Sequence, residues 1–196
     1  ADALEQHGGY KVTRVDVTRE IAATLRDLKP DVALNVLHGR PGEDGTLQGM
    51  LAELGLPFNG SDCETSRLCM DKLCTAQQLT GLEEMGIIVA PKQSLATRDL
   101  LGASRPRVQA YWEELVRTLK TKQLIVKPQS DGCSSGIVQL TSAHDLARYL
   151  ELLRLRVPRI PAETFAGQAE EVEMPLIAPS YLLFEHREEL RRILLV

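Results

Sequence analysis

The sequence predicts an α/β protein of two lobes, the first built on a parallel sheet and the second mixing helices with antiparallel strands. Three observations carry that prediction. Strand-length runs rich in Val and Leu alternate with amphipathic helical runs over residues 1–64, the order that a doubly wound parallel sheet produces. One of them, Val32-Ala33-Leu34-Asn35-Val36-Leu37, is nearly all apolar, as strands buried on both faces are. From Ile87 the texture changes, with two strand-like runs flanking a Gly/Ser-rich loop before a further helix, and the domain boundary is placed near Ser61–Ser66.

The elements follow in order. Residues 2–7 have the composition of a helix stopped by Gly8-Gly9. Lys11–Val17, with Val12, Val15 and Val17, has strand alternation. Thr18 is a candidate cap for a helix in which Ile21, Leu25 and Leu28 share one face before Pro30 ends it. The Val32–Leu37 strand leads to a helix marked by Leu47, Met50, Leu51 and Leu54, with Gly55 as its stop. Ser61 and Glu64 have capping-box spacing, and helical pattern then runs through Leu73 and Leu79 to Gly86. Asp99–Arg107 has the Pro/Gly/Ser/Arg content of a surface loop. Val108, Trp112, Leu115 and Leu119 keep helical spacing, which makes Trp112 a core residue rather than a ligand platform. Gln123–Pro128 and Ile137–Leu140 are expected strands around the loop Gln129–Gly136. Ser142 opens a helix carrying Leu146, Leu150 and Leu153. Val157–Pro179 has no period and is expected to be irregular, and Tyr181–Phe184 has the pattern of a strand. The chain opens on Ala1 and closes on the apolar run Ile193-Leu194-Leu195-Val196, and is expected to be an excerpt of a longer protein.

Composition excludes several classes. Lys and Arg number 23 against 27 Asp and Glu, a net charge of −4, so no basic surface for nucleic acid is expected. No apolar run approaches the ~18 residues of a membrane span. Cys63, Cys69, Cys74 and Cys133 lack the paired spacing of a zinc site and are expected to be free thiols.

Two segments have the chemistry of a site. His38-Gly39-Arg40-Pro41-Gly42-Glu43-Asp44-Gly45 lies between a buried strand and a helix, where open α/β sheets form ligand crevices. A plain strand-to-helix turn with a solvated acidic tip is the competing account. Gln129-Ser130-Asp131-Gly132-Cys133-Ser134-Ser135-Gly136 directly follows Lys127-Pro128. Such a small-residue loop can donate backbone N–H groups and hydroxyls to phosphates, and the lysine adds a point charge. An ordinary flexible hairpin would have the same composition, but a charge ending an apolar strand costs free energy unless it is paired or solvated. Met70-Asp71-Lys72 by itself fits a solvated helix lysine.

Taken together, Leu34–Gly49 with its His-Gly-Arg-Pro-Gly-Glu-Asp-Gly core, Met70-Asp71-Lys72-Leu73, and Ile125-Val126-Lys127-Pro128 with its Gly-Cys-Ser-Ser-Gly loop resemble the D-alanine–D-alanine ligases of the ATP-grasp superfamily. The loop Asp131-Gly132-Cys133-Ser134 and the stretches Ile160–Glu163 and Glu173–Pro175 look closest to the form found in plants and algae. The resemblance implies a pre-ATP-grasp domain over residues 1–64, lacking its first strand, and the beginning of an ATP-grasp domain over 65–196, with the C-terminal lobe absent. It implies ATP and D-alanine as partners, no nucleic acid or membrane, a homodimer, and a cytoplasmic or plastid location.

By the same resemblance, Lys72 and Lys127 would meet the nucleotide phosphates. Gly132, Ser134 and Ser135 would belong to the loop that closes over them and excludes water. His38 would lie beside the first D-alanine, with Cys133 and Ser134 in the catalytic loop. Glu185 would meet the adenine amino group, and His186 would add backbone there. Two departures stand out. The family has Ser where this chain has Cys133, and a thiol is the weaker donor. Arg187-Glu188-Glu189 lacks the Gly-x-Glu expected after the adenine contact, so no residue is assigned to the ribose. Magnesium is implied too, with its Asp and Glu-x-Asn ligands outside this chain, so the isolated chain is expected to be inactive. A D-alanyl-D-lactate ligase and a non-catalytic nucleotide-binding homologue are the alternatives.

Overall fold

The computed structural model describes residues 2–130, 132, 134–174 and 192–196. Five helices come first: α1 Asp2–Gly8, α2 Ile21–Leu28, α3 Thr46–Glu53, α4 Cys63–Met70 and α5 Lys72–Leu79. Then follow β1 Gln93–Ala96, α6 Arg105–Leu119, β2 Leu124–Pro128, β3 Val138–Leu140, α7 Ala143–Leu155, β4 Arg159–Ile160, β5 Val172–Glu173 and β6 Arg192–Leu195. Among the described residues no helix is long and apolar enough to cross a membrane.

The first lobe forms its core from helix faces. Ile21 and Leu25 of α2, and Leu47 and Leu51 of α3, are pairs four residues apart that bury one stripe each. Val15, Val17, Ala33, Leu37 and Phe58 pack against them. The strands expected over Lys11–Val17 and Val32–Leu37 do not form ladders. A single parallel bridge joins Ala33 to Phe58, with the Ala33 N–H donating to the Pro57 carbonyl at 2.8 Å. Beyond it, a side chain replaces the neighbouring strand. Asn59 Oδ1 accepts from the Asn35 N–H at 2.6 Å, and Asn59 Nδ2 donates to the Asn35 carbonyl at 3.0 Å. Val36 is correspondingly 72% exposed instead of buried on both faces.

Helix starts are also adjusted. Thr18 does not cap α2. Its Oγ1 accepts from the Glu20 N–H at 3.2 Å and the helix begins two residues later than a Thr18 cap requires. Asp62, not Ser61, caps α4 by accepting from the Thr65 N–H at 2.7 Å. The single helix expected up to Gly86 is broken at Asp71, whose extended backbone closes α4 while its carboxylate caps α5. A carboxylate that accepts local N–H groups competes with helix continuation, which is why Asp favours caps over interiors. The expected Asp99–Arg107 loop ends early because α6 starts at Arg105 with Pro106 in its first turn, a position where a missing N–H costs nothing.

In the second lobe β1, β6, β2 and β3 form one antiparallel sheet in that spatial order. The closing apolar run is therefore its second strand, between β1 and β2. Leu124, Val126, Leu140 and Leu195 are fully buried from one face of the sheet, together with Leu146 and Tyr149 of α7. Val108, Trp112, Leu115 and Leu119 complete this core from α6 as their spacing predicts. Each such side chain contributes about 1.5–3 kcal/mol of transfer free energy. Ser142 caps α7, accepting from the Asp145 N–H at 3.2 Å. Within the stretch expected to be irregular, β4 and β5 pair through Arg159–Glu173 and Ile160–Val172. The apolar Ile160 is fully buried there, so burial organises a segment that has no period. Tyr181–Phe184 lies outside the described residues.

Candidate functional site

The loop after Leu37 is held by its own polar groups. Glu43 accepts from the Gly39 N–H and lies 3.8 Å from His38 Nδ1. The Gly42 carbonyl accepts from both Asn35 Nδ2 and Gln48 Nε2, each at 2.7 Å. The Thr46 N–H donates to Asp44 Oδ1 at 3.0 Å, so Asp44 is drawn to the start of α3 while Glu43 stays exposed. His38 itself is 80% exposed along its side chain. A cavity of about 490 Å³ opens beside it, lined by Asn35, His38, Gly42, Glu43, Gln48 and Asn59 among others. Gln48 Oε1 is buried with no hydrogen-bond partner.

The second loop is rooted at Gln129, a residue that motif spacing does not single out. Its Nε2 donates to Asp71 Oδ2 at 2.7 Å, its Oε1 accepts from Ser94 Oγ at 2.8 Å, and its carbonyl accepts from the Lys72 N–H at 3.0 Å. One buried amide therefore ties β1, the end of β2 and the start of α5 together. That sets the backbones of Lys72 and Lys127 relative to each other. Burial alone would raise the Asp71 pKa, but the Cys74 N–H, the Gln129 amide and the Leu73 N–H favour the carboxylate and hold it below 3.8. A group depressed in this way contributes stability above its unfolded pKa and loses it as pH falls through the folded value. Acid unfolding below about pH 4 should therefore be less steep in Asp71→Asn than in the wild type. Superimposable acid limbs for the two proteins would contradict this role.

At the far end of the loop the Gly136 N–H donates to the Glu173 carbonyl at 2.7 Å, and Tyr149 Oη donates to the Gly136 carbonyl at 2.8 Å. Tyr149 is fully buried, and burial pushes its phenol pKa up. Tyr149→Phe would leave that carbonyl without its donor, a loss of about 1–3 kcal/mol. Urea unfolding measures it, and an unchanged midpoint would show that the bond contributes nothing.

The two loops meet. A Cβ on Gly132 would lie 3.3 Å from Glu43 Oε2 and 3.8 Å from Gly39 Cα, so the backbone of the second loop rests on the tip of the first. His38, Lys72, Lys127, Gly132, Ser134 and Ser135 thus fall in segments joined by direct contact or by Gln129. Ser134 has φ +57° and is exposed, and the Ser135 N–H donates to the Gly132 carbonyl at 3.2 Å. Cys133, Glu185 and His186 lie outside the described residues. The described thiols Cys63, Cys69 and Cys74 are free, as their spacing predicts. Sequence reasoning missed Asp71 and Gln129 as a pair, because a hydrogen bond between residues so distant in the chain leaves no local pattern.

Residues 4–61 match the family model described as D-ala D-ala ligase N-terminus. A curated D-alanine–D-alanine ligase from Rhodopseudomonas palustris (strain BisB18) is 43% identical over 145 residues, covering 74% of this chain and 41% of the relative. The chain thus spans less than half the length of that protein. Among solved structures, D-alanine–D-alanine ligase from Bacillus anthracis matches with a TM-score of 0.61 at 23% identity, over 96% of this chain and 46% of that one. The same enzyme complexed with ATP matches with a TM-score of 0.55 at 21% identity, over 96% and 47%. The mixed α/β architecture is therefore that of the N-terminal and central domains of these enzymes. Over the stretch that it shares with them, this chain is similar to D-alanine–D-alanine ligases.

Proposed function

We propose that the protein carrying this chain is an ATP-dependent ligase that joins two D-alanines for peptidoglycan precursor synthesis. The observation that carries the reading is the contact of the Gly132 loop with the Gly39–Glu43 tip, beside two lysines whose backbones Gln129 holds in register. In this reading residues 1–64 form the substrate-side domain and 65–196 begin the nucleotide-binding one.

Lys72 and Lys127 neutralise the phosphoryl oxygens of ATP, which is the main electrostatic task in phosphoryl transfer. The loop Gly132-Cys133-Ser134-Ser135 covers them and keeps water from the acyl phosphate. His38, Cys133 and Ser134 flank the first D-alanine, and Glu185 and His186 meet the adenine. The carboxylate of the first D-alanine takes the γ-phosphoryl group of ATP, releasing ADP. The amine of the second D-alanine then attacks the acyl carbon, expels phosphate and gives up a proton, leaving the dipeptide. Among the described residues no cluster of three His, Cys, Asp or Glu could hold a metal ion by itself. The ligands for magnesium are assigned to other residues, and no step here runs through it. The loop wording supports the plant and algal form, with a cytoplasmic or plastid location, and the family resemblance supports a homodimer.

The test is ADP release by the full-length gene product with ATP, magnesium and D-alanine. D-alanine-dependent release, with D-alanyl-D-alanine as product, is expected. Absence of D-alanine dependence would overturn the reading.

A further inference from the structure

The register of the second-lobe sheet brings another lysine to the face that carries Lys127. Ser94 of β1 and Lys127 of β2 both pair with Leu194 of β6, whereas Gln93 and Val126 both pair with Leu195. Residues opposite each other on neighbouring strands point to the same face, and successive residues alternate. Val126 is fully buried, so its face is the core face. Ser94 and Lys127 lie on the other, where Ile125 is 46% exposed. Lys92 stands immediately ahead of β1, two residues before Ser94, where the chain enters the sheet.

The side chains agree with the register. Lys92 is half-buried, and its pKa is pushed down by burial and then by the charge of Lys127, which places the two ammonium groups within each other's field. Among the described residues neither lysine has a carboxylate at ion-pair distance. Ser94, between them on the same face, donates to Gln129 at the root of the Gly132–Gly136 loop. Two neighbouring cations with no acid beside them among the described residues repel each other, and a polyanion is the ligand that relieves both. Surface lysines avoid the problem by extending into water. Lys127 instead leads straight into the loop of small residues, with the charge of Lys92 acting on it.

We propose that Lys92 is a second phosphate-binding lysine of the sheet, sharing with Lys127 the polyphosphate chain of the nucleotide on the open face of β1, β6 and β2. The inference rests on the ATP-dependent reading given above and adds to it a residue that no motif marks. Lys92 acts by charge and position, as a binding residue.

The experiment is isothermal titration of the full-length gene product and its Lys92→Met and Lys92→Arg variants with ATP, inorganic tripolyphosphate and adenosine. Lys92→Met is expected to weaken ATP and tripolyphosphate about 10-fold, in the range of one charge-assisted contact. Adenosine affinity should hold, and Lys92→Arg should restore most of the loss. Unaltered ATP and tripolyphosphate affinity in Lys92→Met would overturn the role, and so would an equal loss for adenosine, which would mark a merely structural residue. A wild-type protein that binds no ATP would overturn the ligase reading and this role with it. Wild-type binding with an indifferent Lys92→Met removes this role alone.

Discussion

Lys127→Ala in the full-length protein is expected to reduce ATP affinity about 10- to 100-fold, the loss of one charge-assisted hydrogen bond of about 1.5–3 kcal/mol. The fold should survive the change. Lys127 takes part in the sheet through its backbone opposite Leu194, while the buried contacts of β2 come from Leu124, Val126 and Pro128. Alanine removes a half-buried charge from beside Lys92, so the unfolding midpoint should stay level or rise. Calorimetric titration and a urea unfolding curve on the same sample separate the two effects. Undiminished ATP binding would discard the phosphate role of Lys127. Lost binding with a collapsed midpoint would reassign the residue to stability.

Gly45→Ala is expected to destabilise the first lobe by about 3 kcal/mol. Gly45 has φ +88°, where an L side chain costs about 1–2 kcal/mol. A Cβ there would also collide with the Cys63 carbonyl oxygen at the start of α4 and lie 3.4 Å from the Arg67 nitrogen. Both neighbours are helical backbone, so relief requires α3 and α4 to part, and overpacking of that kind costs about 1–3 kcal/mol. The glycine is thus required by a close approach between helices as well as by the turn before α3. A denaturation midpoint equal to that of the wild type would show that the helices yield freely. Gly55→Ala is the comparison, since Gly55 also has positive φ but nothing within 4 Å of its Cβ position, and it should lose only the conformational part.

The helices of this fold were legible because burial leaves a 3.6-residue period. Trp112 between Val108 and Leu115, and Leu146 with Leu150, face the core as their spacing says. The strands were legible only where two faces differ. In β2, buried Leu124 and Val126 alternate with exposed Ile125 and half-buried Lys127. Val32–Leu37 has the composition of a strand but lacks a ladder partner on either side, and composition does not report partners. The break at Asp71 and the cap at Asp62 turn on which of several local acceptors captures an N–H, a choice that differs by little free energy among Ser, Asp and Thr. Of the candidate site, the loops were legible from their glycines and lysines, since backbone approach and phosphate charge constrain residue type directly. Gln129 was not, because its three bonds converge from β1, α5 and Asp71 only after the chain has folded.

The order β1-β6-β2-β3 carries a consequence for synthesis. The strand that joins β1 to β2 is the last of the described strands to leave the ribosome, so β1 and β2 are made long before a strand lies between them. Until then β2 can pair only with β3, and the apolar side chains of β1 have no sheet to complete. Closing so distant a contact is slow compared with forming the helices. The nascent protein therefore passes through an interval in which the face of this sheet exists in sequence but not in space, with the open edges of β1 and β2 exposed to other chains.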